Sequence, residues 1–298
     1  MEVIMLNRQK KQIGLILAPL IIAFCCLSGC VSKTVNVWGD PETGLILKYR
    51  FNEGQTLTYE STSELIQTLD VMGQIQEVEG KSSTTVSYES KGKKDGNLPL
   101  KVTVKEMDAY YASSQGEISP DASEAVGKSF EMILSPLGKE LELIGIEELK
   151  IDMGDEGITD MTGDFQDSFP DLAPRPVKIG DSWTSTVPIT QTTTTGETTL
   201  NFVNTYTLEG FETVEGFECV KIKIDTEGTY DGTISQQGMD LISAGELSGS
   251  GICYFAYKEG IFVKATSEGT SEGSITISSQ GIEIPMTRDI KSEVKLIK

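Results

Sequence analysis

The chain has 298 residues, 45 of them acidic and 25 basic, for a net charge of −20 at neutral pH, and it contains no histidine. Such a charge repels nucleic acid and anionic lipid headgroups. The missing histidine removes Ser-His-Asp and Cys-His nucleophile systems and every His-ligated zinc or copper site.

The first predicted element is a secretion signal over residues 1–29. Arg8, Lys10 and Lys11 precede an apolar run from Ile13 to Leu27, and small residues Ser28 and Gly29 stand before Cys30. A basic start, an apolar middle and a small-residue cut make the layout of an export leader. The stretch Leu27-Ser28-Gly29-Cys30 resembles the lipobox of bacterial lipoproteins. The resemblance implies cleavage before Cys30, which is left as an acylated N-terminus anchored in a membrane, with palmitate among the expected acyl groups. Two or more acyl chains hold stably, because each buried methylene contributes ~0.8 kcal/mol and one chain alone is marginal. The competing reading, an uncleaved span over Ile13–Val31, reaches only the lower limit of span length and does not require the small-small-Cys ending. The resemblance implies the cell envelope, facing outside the cytoplasm, and the outer membrane in a Gram-negative source because Val31, not Asp, follows the cysteine. Removing residues 1–29 takes away three basic and one acidic residue, so the net charge moves from −20 to −22. The mature domain is then expected to stand off an acidic membrane on a tether, residues 30–44, that carries a Gly-Asp-Pro turn.

Strand signals begin at Leu45. Leu45, Leu47, Tyr49 and Phe51 alternate with polar or outward positions, the period of a half-buried strand. The same alternation recurs at Leu100, Val102 and Val104, at Leu200, Phe202, Tyr206 and Leu208, and at Val220, Ile222 and Ile224. One apolar and one wet face is the antiparallel pattern. Long strands are predicted from about Thr56 to Asp70 and from Gln74 to Ser90, joined at Met72-Gly73. Strands of that length coil, which suits a curved sheet. Further tight turns are expected at Gln237-Gly238 and Gln280-Gly281, with longer loops at 91–97 and 209–216. Thr226–Ile234 echoes Ser267–Ile275, which predicts two similar hairpins in one sheet rather than a solenoid.

Helix is expected only as short pieces, near 120–128 behind Ser119-Pro120 and near 164–169. Phe130–Leu134 and Lys139–Ile144 read as short strands around Ser135-Pro-Leu-Gly138. The fold class is therefore mainly β: an antiparallel curved sheet, an open or partial barrel of long hairpins, with one or two short helices. The chain divides into an N-terminal β half (45–145), a linker or lid (146–180) and a C-terminal β half (181–298).

The stretch Pro174-Arg-Pro-Val-Lys-Ile-Gly-Asp-Ser-Trp183 resembles an uncharacterised family of bacterial lipoproteins, most clearly from Pro174 onward. The resemblance implies a β-rich exported domain and no activity. Physically, Gly180-Asp181 makes a turn and Trp183 opens a strand as a core side chain.

Candidate chemistry is sparse. Cys219 and Cys253 remain once Cys25 and Cys26 leave with the leader and Cys30 is acylated. They are either a cross-strand disulfide or two buried thiols, and spacing leaves both open. Asp152, Asp155, Glu156, Asp160, Asp164 and Asp167 have the density of a calcium loop but not EF-hand spacing, so a solvated acidic loop is the preferred reading. Carboxylate pairs for glycosidic hydrolysis are expected by chance alone in so acidic a chain. No enzyme activity, cofactor, metal or nucleic-acid partner is expected. The leading function is a binding module for a lipid or other apolar ligand, with Leu57, Tyr59, Leu65 and Leu69 facing it. The alternative is a structural or surface-interaction lipoprotein whose own side chains fill the interior. Protein partners are not readable.

Overall fold

The computed structural model describes residues 36–114, 116–154, 157–236 and 239–297. The leader, Cys30 and the first part of the tether lie outside the described residues, as does the Gln237-Gly238 turn. Residues Asn36–Lys298 form one compact unit.

The strands run in chain order as β1 (Gly39–Asp40), β2 (Gly44–Leu45), β3 (Thr56–Val71), β4 (Gln74–Ser90), β5 (Leu98–Ser113), β6 (Gly116–Ile118), β7 (Ser129–Leu134), β8 (Glu140–Ile144), β9 (Lys150–Asp152), β10 (Ile158–Asp160), β11 (Ser182–Thr193), β12 (Gly196–Val214), β13 (Phe217–Gln236), β14 (Met239–Ala256), β15 (Ile261–Ile277) and β16 (Ile282–Leu296). One antiparallel sheet holds them in the order β8-β7-β5-β4-β3-β16-β15-β14-β13-β12-β11-β10-β9, with β6 on the outer edge of β5 and β1–β2 as a separate ribbon. The N-terminal and C-terminal strands share this sheet because β16 pairs with β3, Leu296 opposite Tyr59 and Met286 opposite Leu69. The sheet curls into a half-barrel. Beyond β6, Asp121 and Asp152 exchange backbone hydrogen bonds at 2.9 Å and tie the β5–β6 side to β9.

The two long predicted strands are β3 and β4, and their turn is tight because Met72 and Gly73 both take positive φ, 56° and 84°. That is the twist a two-residue hairpin needs. The echoed segments lie on β13 and β15, the first strands of two successive hairpins flanking one seam. The predicted loop at 209–216 is a correction: β12 runs on to Val214, with a bulge between Leu208 and Gly210 and only Glu215-Gly216 in the turn.

The predicted strand at Leu45–Phe51 is also corrected. Leu45, Leu47 and Tyr49 are buried as the alternation requires, but residues 46–51 pair with no strand. Loops satisfy their backbone instead: Tyr49 N donates to Pro136 O at 2.9 Å and Arg50 N to Gly260 O at 2.9 Å. This extended segment adds Leu47 and Tyr49 to the core under the sheet.

Among the described residues there is no α-helix. Residues 122–127 make a single turn, with Ala125 N and Val126 N both donating to Ala122 O, before Gly127 takes φ 83° and ends it. Asp121, not Ser119, caps that turn by accepting Ser123 N at 2.8 Å. The piece near 164–169 is one 3₁₀ turn, Gly163–Phe165. Neither segment has the length at which helix propagation outweighs nucleation.

Register sorts the side chains. On β13 the outward set is Lys221, Lys223, Asp225, Glu227, Thr229 and Asp231, and the inward set includes Val220, Ile222, Ile224 and Tyr230. A membrane-spanning barrel carries an apolar band outside and a polar lumen. This sheet has the reverse pattern.

Candidate functional site

The concave face is apolar at one end. Leu57, Tyr59, Val86, Tyr88, Leu208, Ile222, Phe255 and Phe262 are buried there. Ile146, Leu149, Ile151, Met161, Phe165, Phe169 and Leu172, all from the predicted linker, join the same core. Phe169 stands at the centre, with ring centroids 5.3 Å from Tyr49, 5.0 Å from Tyr88 and 6.4 Å from Tyr59 in edge-to-face arrangements. Such pairs stabilise beyond the area they bury. The stretch Met161–Leu172 therefore acts as a plug held by its aromatic residues.

Polar contacts fix the plug to both sides of the half-barrel. From the β8 side, Glu140 Oε1 accepts Ser168 Oγ at 3.0 Å and Phe169 N at 2.9 Å. From the β11–β12 side, Trp183 Nε1 donates to Asp171 O at 2.9 Å and stacks on Tyr206, centroids 5.5 Å apart. Gln166 Oε1 accepts Thr190 N at 2.8 Å. Trp183 is thus the core side chain expected of it, at the start of β11 and just after a turn in which Gly180 takes φ 90°.

Beyond the plug the concave face is not filled. A groove of about 700 Å³ runs along β11 to β16, with the plug residues Asp164 and Asp167 on its roof. Its apolar wall includes Leu200, Phe202, Leu247, Ile290 and Val294. Its floor is small: inward positions of β14 and β15 are Gly249, Gly251, Ser267 and Gly269. Glycine at successive inward sites lets another group approach the backbone closely. A chamber of about 420 Å³ lies on the other side of the plug, against Tyr59, Ser61, Ser63, Met107 and Tyr111. A third cavity of about 390 Å³ separates edge strand β8 from Thr186–Pro188 of β11. Asp167 borders all three.

Of the acidic loop, Asp152 and Asp164 are exposed, Asp160 and Asp167 are half-buried, and Asp155 and Glu156 lie outside the described residues. Burial raises Glu140 to about 7. Burial raises Asp164 to about 6, with repulsion from Asp160 adding to it. Asp164 keeps exposed surface where it borders the groove and the chamber, and the protein packed around it thins its hydration. Asp167 is raised well above the usual carboxylate range by burial, then by Glu140 and Asp171. No group of residues suited to a metal ion is found among the described residues.

The four residues expected to face a ligand divide. Leu57 and Tyr59 are core, 7% and 4% exposed, and only Tyr59 borders a cavity, the smaller chamber. Tyr59 also donates to Phe262 O at 2.8 Å. Further along β3 the chamber wall is Ser61 and Ser63, while Leu65 and Leu69 are half-buried on the same face toward the far end. The alternation on β12 already marked Leu200 and Phe202 as inward residues. The missed signal is the set of small residues at alternate positions, Gly245, Gly249 and Gly251 around Leu247 and Ser267, Gly269, Ser271 and Gly273.

Cys219 and Cys253 are free and buried. The register places Cys219 opposite Ala256 and Cys253 opposite Ile222, three residues out of step, so the two thiols point to opposite faces of the sheet.

No known protein family matches the chain, and no curated protein does. Among solved structures, a protein of YmcC-like fold described as exported, from Bacteroides fragilis, has 11% identity and a TM-score of 0.22 over 84% of this chain and 97% of its own. OccK2 from Pseudomonas aeruginosa, in complex with glucuronate, has 6% identity and a TM-score of 0.23 over 84% of this chain and 100% of its own. A DUF1329 family protein from Desulfovibrio piger has 11% identity and a TM-score of 0.13 over 80% of this chain and 85% of its own. Likeness at these scores carries no functional argument.

Proposed function

We propose that this chain is an exported lipoprotein, anchored through acylated Cys30, that binds a lipid or other apolar ligand on the concave face of its half-barrel. The observation that carries the reading is the groove of about 700 Å³ beneath Asp164 and Asp167, with Phe202, Leu247 and Ile290 on its wall. Its volume lies in the ~300–1,000 Å³ range of small-molecule sites. Burying an apolar chain against such a wall contributes ~25 cal/mol per Å² removed from water. A polar convex face with an apolar concave one also fits a domain that keeps its ligand from water while standing in water itself.

The raised carboxylates do not require a catalytic role. Glu140 is occupied with Ser168 and Phe169, and so serves to hold the plug. The reading accordingly assigns binding and not turnover. The structural alternative rests on the plug, which fills the apolar end of the half-barrel with the chain's own side chains; the groove beyond it favours a ligand.

The experiment is mass spectrometry of organic extracts from natively purified protein, joined to titration with a neutral, polarity-sensitive apolar dye. A stoichiometric lipid, or saturable dye binding, is expected. Extracts without lipid, together with no dye binding to the wild-type protein, would leave the structural alternative.

A further inference from the structure

The groove is not uniform along its length. Asp167 borders it beside Asn204, while Tyr230 and Arg288 border it further along. Tyr230 is four residues along β13 from Thr226, which pairs with Asn204 beneath the plug. At the rise of a strand that separation is ~13 Å.

The Tyr230 side chain is built into place. Its residue is 8% exposed, and its hydroxyl has no hydrogen-bond partner within the protein. The ring crosses two glycines: a Cβ at Gly245 would lie 2.6 Å from the hydroxyl, and one at Gly273 closer still. A buried hydroxyl without a partner is costly, and Tyr230 borders the groove, so its retention is an observation that points to a ligand.

Arg288 converges on the same corner. Gly273, under the Tyr230 hydroxyl, pairs with Met286 of β16. The Arg288 Nη2 lies 3.9 Å from Met286 Sδ. Arg288 Nε and Nη2 donate to Gln67 Oε1 at 3.1 and 2.7 Å, which aims the guanidinium without neutralising it. No ion pair forms at Arg288 among the described residues. A guanidinium and a hydroxyl donor together at the end of an apolar wall suit an oxyanion. Toward the plug the groove offers the carboxyl groups of Asp164 and Asp167 and no cation for an anionic head, whereas Arg288 is the one basic residue of its lining.

We infer that the ligand is a single-chain amphiphile with a carboxylate head, of the fatty-acid class, its head held by Arg288 and the Tyr230 hydroxyl and its chain lying over Leu247, Phe202 and Ile290 toward the plug. This rests on the apolar-ligand reading and names the chemistry of that site. Binding is noncovalent: the carboxylate accepts a hydrogen bond from Tyr230 and pairs with Arg288, and no bond is made or broken.

The test uses the mature chain from residue 30 carrying Cys30→Ser, so that no acyl anchor competes. Dodecanoate, dodecanol and dodecylamine, each below its aggregation limit, displace the neutral apolar dye. Dodecanoate is expected to bind at least about tenfold tighter than dodecanol, the size expected for a charge-assisted hydrogen bond. Tyr230→Phe keeps the ring over Gly245 and Gly273, and Arg288→Gln keeps a donor toward Gln67. Each should weaken dodecanoate by about tenfold and leave dodecanol unchanged. Should Arg288→Gln fail to fold, Tyr230→Phe decides alone. Equal affinity for dodecanoate and dodecanol, or equal loss of both in Tyr230→Phe, overturns the head-group assignment while the apolar reading stands. So does dodecylamine binding tightest, since the head would then sit at Asp164 and Asp167. Failure of all three to bind overturns both.

Discussion

The carboxylate of Glu140 accepts the backbone N–H of Phe169 at 2.9 Å, and the two residues belong to different parts of the half-barrel. Glu140 starts the edge strand β8, while Phe169 is the centre of the plug. The contact joins the sheet's open edge to the element that fills its interior. Burial there favours the protonated acid, which lifts Glu140 to about 7.

That shift predicts how stability depends on pH. Below pH 4.5 the side chain is protonated whether the chain is folded or not. Between 4.5 and about 7 the unfolded chain loses its proton and the folded one keeps it, so stability falls as pH rises and levels off above. The shift corresponds to about 3 kcal/mol across that window. Asp167 and Asp171, also raised mainly by burial, act in the same direction. Urea midpoints measured from pH 4.5 to 8 should fall for the wild-type protein. Glu140→Gln, whose carbonyl oxygen can still accept from Ser168 and Phe169, should flatten the curve and be the more stable at pH 8. A midpoint that rises steadily over this range would contradict the burial argument.

The aromatic centre is expected to govern stability independently of pH. Phe169 is 2% exposed and touches four rings, Tyr49, Phe51, Tyr59 and Tyr88. Phe169→Ala should cost ~3–5 kcal/mol, read from urea unfolding at constant pH. A loss under about 1 kcal/mol, the scale of a surface substitution, would mean that the plug is not part of the cooperative core.

The cysteines give a chemical test of register. Cys219 is pushed up to about 11 by burial, and Cys253 is raised further by the same cause. In the chain from residue 30 carrying Cys30→Ser, both thiols should resist maleimide when native and take two labels after denaturation without reductant, by intact mass. No label on the denatured, unreduced chain would mean a disulfide, and with it a strand register different from the one found.

Much of this architecture is legible in the sequence, for a physical reason. Period-two alternation reports a sheet with one wet face, so β5, β12 and β13 are found where Val102, Phe202 and Ile222 place them, and β3 and β4 on either side of Met72-Gly73. Alternation does not report what covers the apolar face. Leu45–Phe51 alternates as a strand does, yet its partners are loops, because burial and strand pairing are separate requirements. The groove is legible only as a lack of bulk: Gly245, Gly249, Gly269 and Gly273 carry no period-two signal of their own, and only register shows that they share one face. The acidic stretch is read in part: Asp164 is exposed as its polar surroundings suggest, while Asp167 is drawn half-inside by the buried Phe165 and Phe169 on either side of it.

The anchor is a separate matter from the sheet. Leu27-Ser28-Gly29-Cys30 motivates the expectation that Cys30→Ser yields protein that is neither acylated nor stably held by lipid. Labelled palmitate should enter the wild-type chain only, and the variant should leave the membrane fraction. Equal incorporation into both would move the modification elsewhere.

The groove itself can be tested apart from its head-group chemistry. Leu247 is inward on β14, opposite Gly228 and Ser271, and stands on the wall. Leu69 is also inward, but it lies at the far end of β3, opposite Met286. An unpaired carboxylate in an apolar groove costs several kcal/mol. Leu247→Asp should therefore abolish binding of the neutral apolar dye, while Leu69→Asp should leave most of it. Far-ultraviolet circular dichroism on both variants separates loss of the site from loss of the fold. Dye affinity of the wild-type protein should also hold from low to high salt, since apolar contact is not screened as surface charge is. If Leu247→Asp folds and binds the dye like wild type, the ligand does not lie along β14. The concave face would then be occupied only at the chamber by Tyr59, on the other side of the plug.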